Sequence, residues 1–161
     1  MRTSRWKPVA AAAAGAAGLA FLGALTTDIG PWYLALKEPA WKPPDILFGP
    51  AWTTIFALAA ISGVIAWRRA ATRSQRESIL VLFAANAVFN VLWSLLFFRL
   101  HRPDWALAEV GLLWLSVLAP IVYLGSFSRP SGWLLAPYLA WVSFAAFLNL
   151  AVVRLNAPFG S

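Results

Sequence analysis

The chain has 161 residues, 61% of them hydrophobic and 12% charged, with a net charge of +7. Water-soluble domains run near 45–50% apolar with about a quarter of their residues charged, so a soluble globular domain is excluded and lipid is the solvent for most of this chain. With no cysteine and a single histidine, His101, disulfide frameworks, thiolate metal sites and a cysteine nucleophile are excluded as well. The thirteen lysines and arginines scatter between apolar runs instead of forming one basic stripe, which points to membrane headgroups and not to nucleic acid.

Five apolar stretches, at about residues 8–27, 50–67, 78–98, 105–125 and 132–153, reach the roughly 20 helical residues that cross a hydrocarbon core. Short polar breaks separate the last four, so neighbouring helices run antiparallel and the chain reads as one all-α, five-helix membrane domain over residues 1–161. The first stretch follows Arg2, Arg5 and Lys7, but it is longer than the apolar region of a signal peptide and has no clean A-x-A site before Thr26, so it reads as a span. Its Gly15, Gly18 and Gly23 give it a small face for close packing against other helices or a second copy. The connection at residues 28–49 holds Pro31, Pro39, Pro43 and Pro44, which forbid a long regular helix, together with Trp32, Tyr33 and Trp41. It is either a lid over the bundle or an interfacial segment whose aromatics lie at headgroup level.

Trp52 and Phe56 lie one turn apart in the second span, near the aromatic loop. In the third, Asn86, Asn90, Trp93 and Phe97 recur at i, i+4, i+7 and i+11 along one helical face. Polar groups at membrane depth are costly; these amides either line a cavity or clip the helix to a neighbour. Glu109, in the fourth span, either snorkels to the interface beside Arg102 or lines a polar pathway, and His101 reads as a solvated interface residue or a haem ligand. In the fifth span Tyr138, Trp141, Ala145, Leu148 and Asn149 share a face, and Pro137 predicts a kink near Ala136.

Arg2, Arg5, Lys7, Arg68, Arg69, Arg73, Arg76 and Arg129 fall on one side of such a bundle and outnumber Lys37, Lys42, Arg99, Arg102 and Arg154 on the other, which sets the N-terminus in the cytoplasm and the first loop outside. No Ser/His/Asp set, carboxylate pair, phosphate loop or metal-ligand spacing can be assembled, which argues against a conventional acid–base enzyme and assigns no metal. The lack of an intramembrane charge pair argues against ion-driven transport. Of ten tryptophans, Trp6, Trp67, Trp105 and Trp133 lie at span ends as an interface belt, Trp114 reads as core and Trp32 stays unassigned. Trp41, Trp52, Trp93 and Trp141 are in excess of any belt.

The strings Trp41-Lys42-Pro43-Pro44, Pro50-Ala51-Trp52-Thr53, Phe89-Asn90 with Trp93, Phe97-Phe98, Trp105-Ala106-Leu107 and Pro137-Tyr138-Leu139-Ala140-Trp141, followed by Leu148-Asn149 and Arg154, resemble the tryptophan-rich sensory protein (TspO) family, related to the translocator protein or peripheral benzodiazepine receptor. The resemblance runs from about Trp32 to Asn156 in family order and spacing. It implies a five-helix fold in a bacterial membrane, a homodimer, and a pocket under the first loop for protoporphyrin IX, haem, sterols or isoquinoline drugs, with no obligatory cofactor. The implied pocket residues are Trp41, Trp52, Asn90, Trp93, Trp141, Ala145 and Leu148; the helical faces add Phe56 and Tyr138. Three functions follow as expectations: a tetrapyrrole receptor, sensor or carrier in which Asn90, Lys37 or Lys42 meets the ligand's acids; light- and oxygen-dependent porphyrin degradation with Trp41 and Trp141 as redox partners; and sterol or lipophile transport. The chain departs from the family at Phe56, where tyrosine is common, at Ala40, where some members carry a second loop tryptophan, at Asn86, where glutamine is common, and at Leu150, which replaces the tyrosine of the proposed sterol motif.

Overall fold

The first apolar stretch forms α1 (Lys7–Thr26), which opens on Pro8 and closes where the Thr26 and Thr27 hydroxyls donate to the carbonyls of Leu22 and Gly23 at 2.8–3.0 Å, alongside the Thr27 N–H bond to Gly23 O. This computed structural model describes residues 6–159; Arg2 and Arg5, which contribute to the charge bias, lie outside the described residues. The proline-rich connection holds only one helical turn, α2 (Pro31–Leu34), and a 3-10 turn (Asp45–Leu47) that leads into α3 (Phe48–Arg69).

Helix α4 (Arg73–Ser94) starts earlier than its hydropathy indicates, because Thr72 and Gln75 form a capping box: Gln75 N–H donates to Thr72 Oγ1 at 3.1 Å and Thr72 N–H to Gln75 Oε1 at 3.3 Å. It continues into a π-helical turn (Leu95–Arg99), closed by Leu100 N–H donating to Leu95 O at 2.9 Å. His101, with φ 54°, supplies the left-handed residue that turns the chain back into α5 (Pro103–Phe127). The last stretch is broken as Pro137 predicts, into α6 (Arg129–Leu134) and α7 (Ala136–Asn156).

The spans close a ring in the order α1, α3, α7, α5, α4, with α6 wedged between α3 and α5. Helices α3 and α4 barely touch one another; α1 bridges them. The glycines of α1 do not deliver the close helix contact that their spacing predicts within the chain, since a Cβ on Gly15, Gly18 or Gly23 would meet nothing within 4 Å. Large apolar side chains such as Phe21, Val81, Val122 and Phe147 point outward, each at least 64% exposed. Five helices of this length and hydropathy, exposing apolar rings and aliphatic chains all round, make the chain a multi-pass integral membrane protein.

The tightest helix approach lies between α5 and α6. A Cβ on Gly132 would stand 2.8 Å from Ile121 O and 3.1 Å from Gly125 Cα, so only glycine fits there. The same corner carries a buried polar link in which Ser62 Oγ of α3 donates to Ser131 O at 2.7 Å. Because the obstacle is backbone, Gly132→Val is expected to cost about 1–3 kcal/mol, read as a lower thermal midpoint in detergent, whereas Gly18→Val, facing open space, leaves the midpoint unchanged.

Candidate functional site

Aromatic rings gather under the first connection in two groups. Trp41 of the loop meets Phe144 edge-on at 6.0 Å, Phe144 packs on Trp141 at 5.5 Å, and Trp141 meets Phe48 at 5.5 Å and Trp52 at 6.3 Å. From Trp52 the series continues inward to Phe56 at 5.2 Å and Tyr138 at 6.0 Å. The second group sits at the end of α4: Trp93 stacks on Phe97 at 5.1 Å, and Phe97 and Phe98 receive Trp32 at 6.2 Å and Tyr33 at 5.6 Å from the loop. Trp93 packs against the buried residues of both groups.

Between the groups lies a buried polar chain. Asn90 Nδ2 donates to the Tyr138 hydroxyl at 3.0 Å, that hydroxyl donates to Asn86 Oδ1 at 3.1 Å, and Asn86 Nδ2 donates to Ser116 Oγ at 3.0 Å. The two amides therefore clip α4 to α7 and α5. Asn149 likewise faces a helix backbone: oriented to satisfy both its atoms, its amide donates to Pro103 O and accepts from Leu107 N–H, each at 3.0 Å. Trp114 Nε1 donates to Ser143 Oγ at 2.9 Å, which gives this ring a partner on α7. Glu109 does not snorkel; it is 7% exposed, neither carboxylate oxygen has a hydrogen-bond partner among the described residues, and Arg102 pairs with Asp104 instead.

The loop is held at three places. Asn156, at the end of α7, accepts from Lys37 N–H at 2.8 Å and donates to Lys37 O at 2.9 Å, pairing with the backbone as a strand would. Trp32 stacks on His101 at 4.2 Å. Lys42 is the hub of an ion cluster, 2.5 Å from Glu38 and 2.6 Å from Asp45, with Tyr33 Oη donating to Asp45 at 2.9 Å and the ammonium 5.0 Å above the Tyr33 ring. Burial disfavours the Lys42 charge, but bonds to Asp45, Glu38 and Tyr33 outweigh it and hold its pKa above the ordinary lysine value. The Lys42 ammonium in turn holds the Asp45 carboxyl below the usual carboxylate range. Lys42 is thus committed to the loop itself, and Lys37 is the loop cation with no ion pair among the described residues.

A cavity of about 970 Å³ opens between α1, α3 and α4. Of the residues singled out from sequence, Phe56 and Tyr138 line it, with Asn86, while Trp41, Trp52, Asn90, Trp93, Trp141, Ala145 and Leu148 do not. Ala145 and Leu148 follow Trp141 along α7, both half-buried. A second hollow of about 400 Å³ lies outside the loop between Trp32, His101, Arg102 and Asn156. Among the described residues no group of acids and histidines is placed to hold a metal. Sequence reasoning missed Phe48 and Phe144, which join Trp41 to Trp52 through Trp141, and Asn156, which pins the loop. It also missed the α1 cavity, whose walls below their cationic ends are mostly small and apolar side chains that form no motif.

The fold defines a polytopic membrane protein whose first connection is tied to α7 and to the turn before α5, beside two groups of aromatic rings. Residues 9–155 match the model of the TspO/MBR family, and the chain belongs to that family. It is 39% identical over 148 residues to protein CrtK of Rhodobacter capsulatus, covering 92% of this chain and 89% of that one. It is 37% identical over 130 residues to the tryptophan-rich protein TspO of Chlorobaculum tepidum (78% and 79%), and 33% identical over 126 residues to the translocator protein of Sus scrofa (78% and 75%).

The ion cluster, whose members all lie in the loop, sets the pH range over which the loop keeps its own fold. Asp45, with a lowered pKa, contributes above the ordinary carboxylate range and stops contributing as pH falls through its own value; Lys42, with a raised pKa, contributes fully below about pH 10.4 and is lost only above it. Acrylamide quenching of tryptophan is therefore expected to stay constant from pH 5 to 9 and to rise below about pH 4. Lys42→Met is expected to show the raised quenching at every pH; the same quenching as the parent at pH 7 would remove the cluster as the tie.

Proposed function

We propose that this protein is a membrane receptor or carrier for tetrapyrroles of the protoporphyrin IX and haem type, with its N-terminus cytoplasmic and the loop on the opposite face. The observation that carries this reading is the unbroken run of rings from Trp41 through Phe144 and Trp141 to Phe48 and Trp52, directly under a loop fastened to α7 and α4. A tetrapyrrole is a flat apolar disc with acidic side chains. Edge and face contacts to several indoles suit the disc, and a covering loop excludes water from it.

In this reading Trp41 and Trp141 contact the macrocycle, Trp52, Phe56 and Trp93 form the deeper walls, and Ala145 and Leu148 leave room along α7. The ligand's acids fall to Lys37, because Lys42 is neutralised by Glu38 and Asp45 and the Asn90 amide is donated to Tyr138. Asn90 and Tyr138 then act by positioning α7. Family membership with proteins named as tryptophan-rich sensory and translocator proteins supports a binding role over an acid–base enzyme.

Quenching of tryptophan fluorescence on titration with protoporphyrin IX tests this. Trp41→Ala, Trp52→Ala and Trp141→Ala are each expected to weaken binding about tenfold, the effect of losing ~1.4 kcal/mol of ring contact, and Lys37→Gln by a smaller factor. Parent-like binding by all three tryptophan variants would place the ligand elsewhere.

A further inference from the structure

We propose that the cleft between α1, α3 and α4 seats one anionic phospholipid, its acyl chains in the apolar depth and its phosphate between Lys7 and Arg76. This does not rest on the tetrapyrrole reading, and the two sites share only Phe56 and Tyr138 as a partition.

The cleft is graded in the same direction on all three walls. It runs along α1 from Lys7 to Leu19, along α3 from Arg68 to Phe56, and along α4 from Arg76 to Asn86. At 1.5 Å per helical residue each wall is about 15–18 Å deep, the thickness of one leaflet of a ~30 Å hydrocarbon core. The cationic ends of all three walls coincide at the mouth, where a headgroup would lie; below them the lining is apolar, mostly alanine with glycine, leucine, isoleucine and phenylalanine and with Trp67 near the mouth, down to Asn86 and Tyr138.

Charge decides which lipid. No carboxylate pairs with Lys7 or Arg76 among the described residues; the neighbouring Glu77 is taken by Arg73 at 2.7 Å. Arg76 is held at the mouth, its guanidinium 5.6 Å above the Trp67 ring and one nitrogen 3.4 Å from Ala70 O. Two cations with no counter-ion among the described residues, above an apolar cleft, complement a phosphodiester with no second positive charge. At the inner end the Tyr138 hydroxyl donates to Asn86 Oδ1 at 3.1 Å and Asn86 Nδ2 donates to Ser116 Oγ at 3.0 Å, so both polar side chains already have partners, which suits the end of an aliphatic chain. The cleft holds about 970 Å³, and α1 spans the gap between α3 and α4 to form its third wall.

Trp67, in the wall, is the reporter. The full-length protein in neutral detergent micelles is titrated with phosphatidylglycerol or phosphatidylcholine carrying brominated chains, which quench indoles in contact, and the Trp67 component is taken as the difference between the parent and Trp67→Phe. The expected result is that phosphatidylglycerol quenches this component at a several-fold lower mole fraction than phosphatidylcholine. The preference disappears in Lys7→Gln/Arg76→Gln, and quenching by both lipids is lost in Gly15→Phe, which fills the cleft without meeting backbone. Equal quenching by the two lipids in the parent, meaning ordinary boundary lipid, overturns the proposal. So does a preference that survives both Lys7→Gln/Arg76→Gln and Gly15→Phe. Protoporphyrin binding in these variants reads the aromatic site separately, so either proposal can fail alone.

Discussion

The hydroxyl of Tyr138 accepts from Asn90 and donates to Asn86, and this chain of three buried side chains holds α7 to α4 within the spanning bundle. Asn86 passes the link to Ser116 on α5, so three of the five spans meet at one buried point. Helix association in lipid has no hydrophobic drive of its own, and the polar chain supplies the register that packing alone leaves loose. The same ring also separates two spaces. Its edge faces Trp52 and the indoles under the loop, while the ring also lines the cleft of α1, α3 and α4.

Placement of the loop follows from that register. Asn156 ends the helix whose first turn Tyr138 fixes, and its paired bonds to Lys37 tie the loop to that helix. The opposite end of the loop closes on itself through Lys42, Glu38 and Asp45 and on α4 through Tyr33 and Phe98. Conformational entropy opposes ordering a twenty-residue connection; its prolines reduce that cost in the unfolded chain, and these ties supply the rest.

Much of the fold is legible in the residues because lipid imposes simple lengths: five apolar stretches become five helices, and Pro137 breaks the last where expected. Boundaries were less so where polar residues begin a helix, as at Thr72 and Gln75, whose capping box precedes the apolar pattern of α4. Residues with a distinctive side chain, such as Trp41, Trp52 and Trp141, announce the aromatic site, but their partners Phe48 and Phe144 look like any lipid-facing phenylalanine. Asn86 and Asn90 read as cavity wall or clip from spacing, since i, i+4 gives a face and not a partner; both amides bond across helices, and Asn86 lines the cleft of α1, α3 and α4 as well. Lys42 looked free to meet an acid because its carboxylate neighbours in sequence do not reveal that they fold onto it. The α1 cleft is made of missing side chains, which no motif records.

The Tyr138 hub can be tested by comparing thermal stability in detergent for Tyr138→Phe and for Asn86→Leu/Asn90→Leu/Tyr138→Phe. Removing the hydroxyl alone strands two buried amides and is expected to cost about 1–3 kcal/mol, while removing all three partners leaves no unpaired group and recovers most of that loss; Ser116 keeps its bond to Leu113 O at 2.7 Å throughout. A Tyr138→Phe variant as stable as the parent, or a triple variant with simply additive losses, would show that the polar chain does not set the register of the bundle.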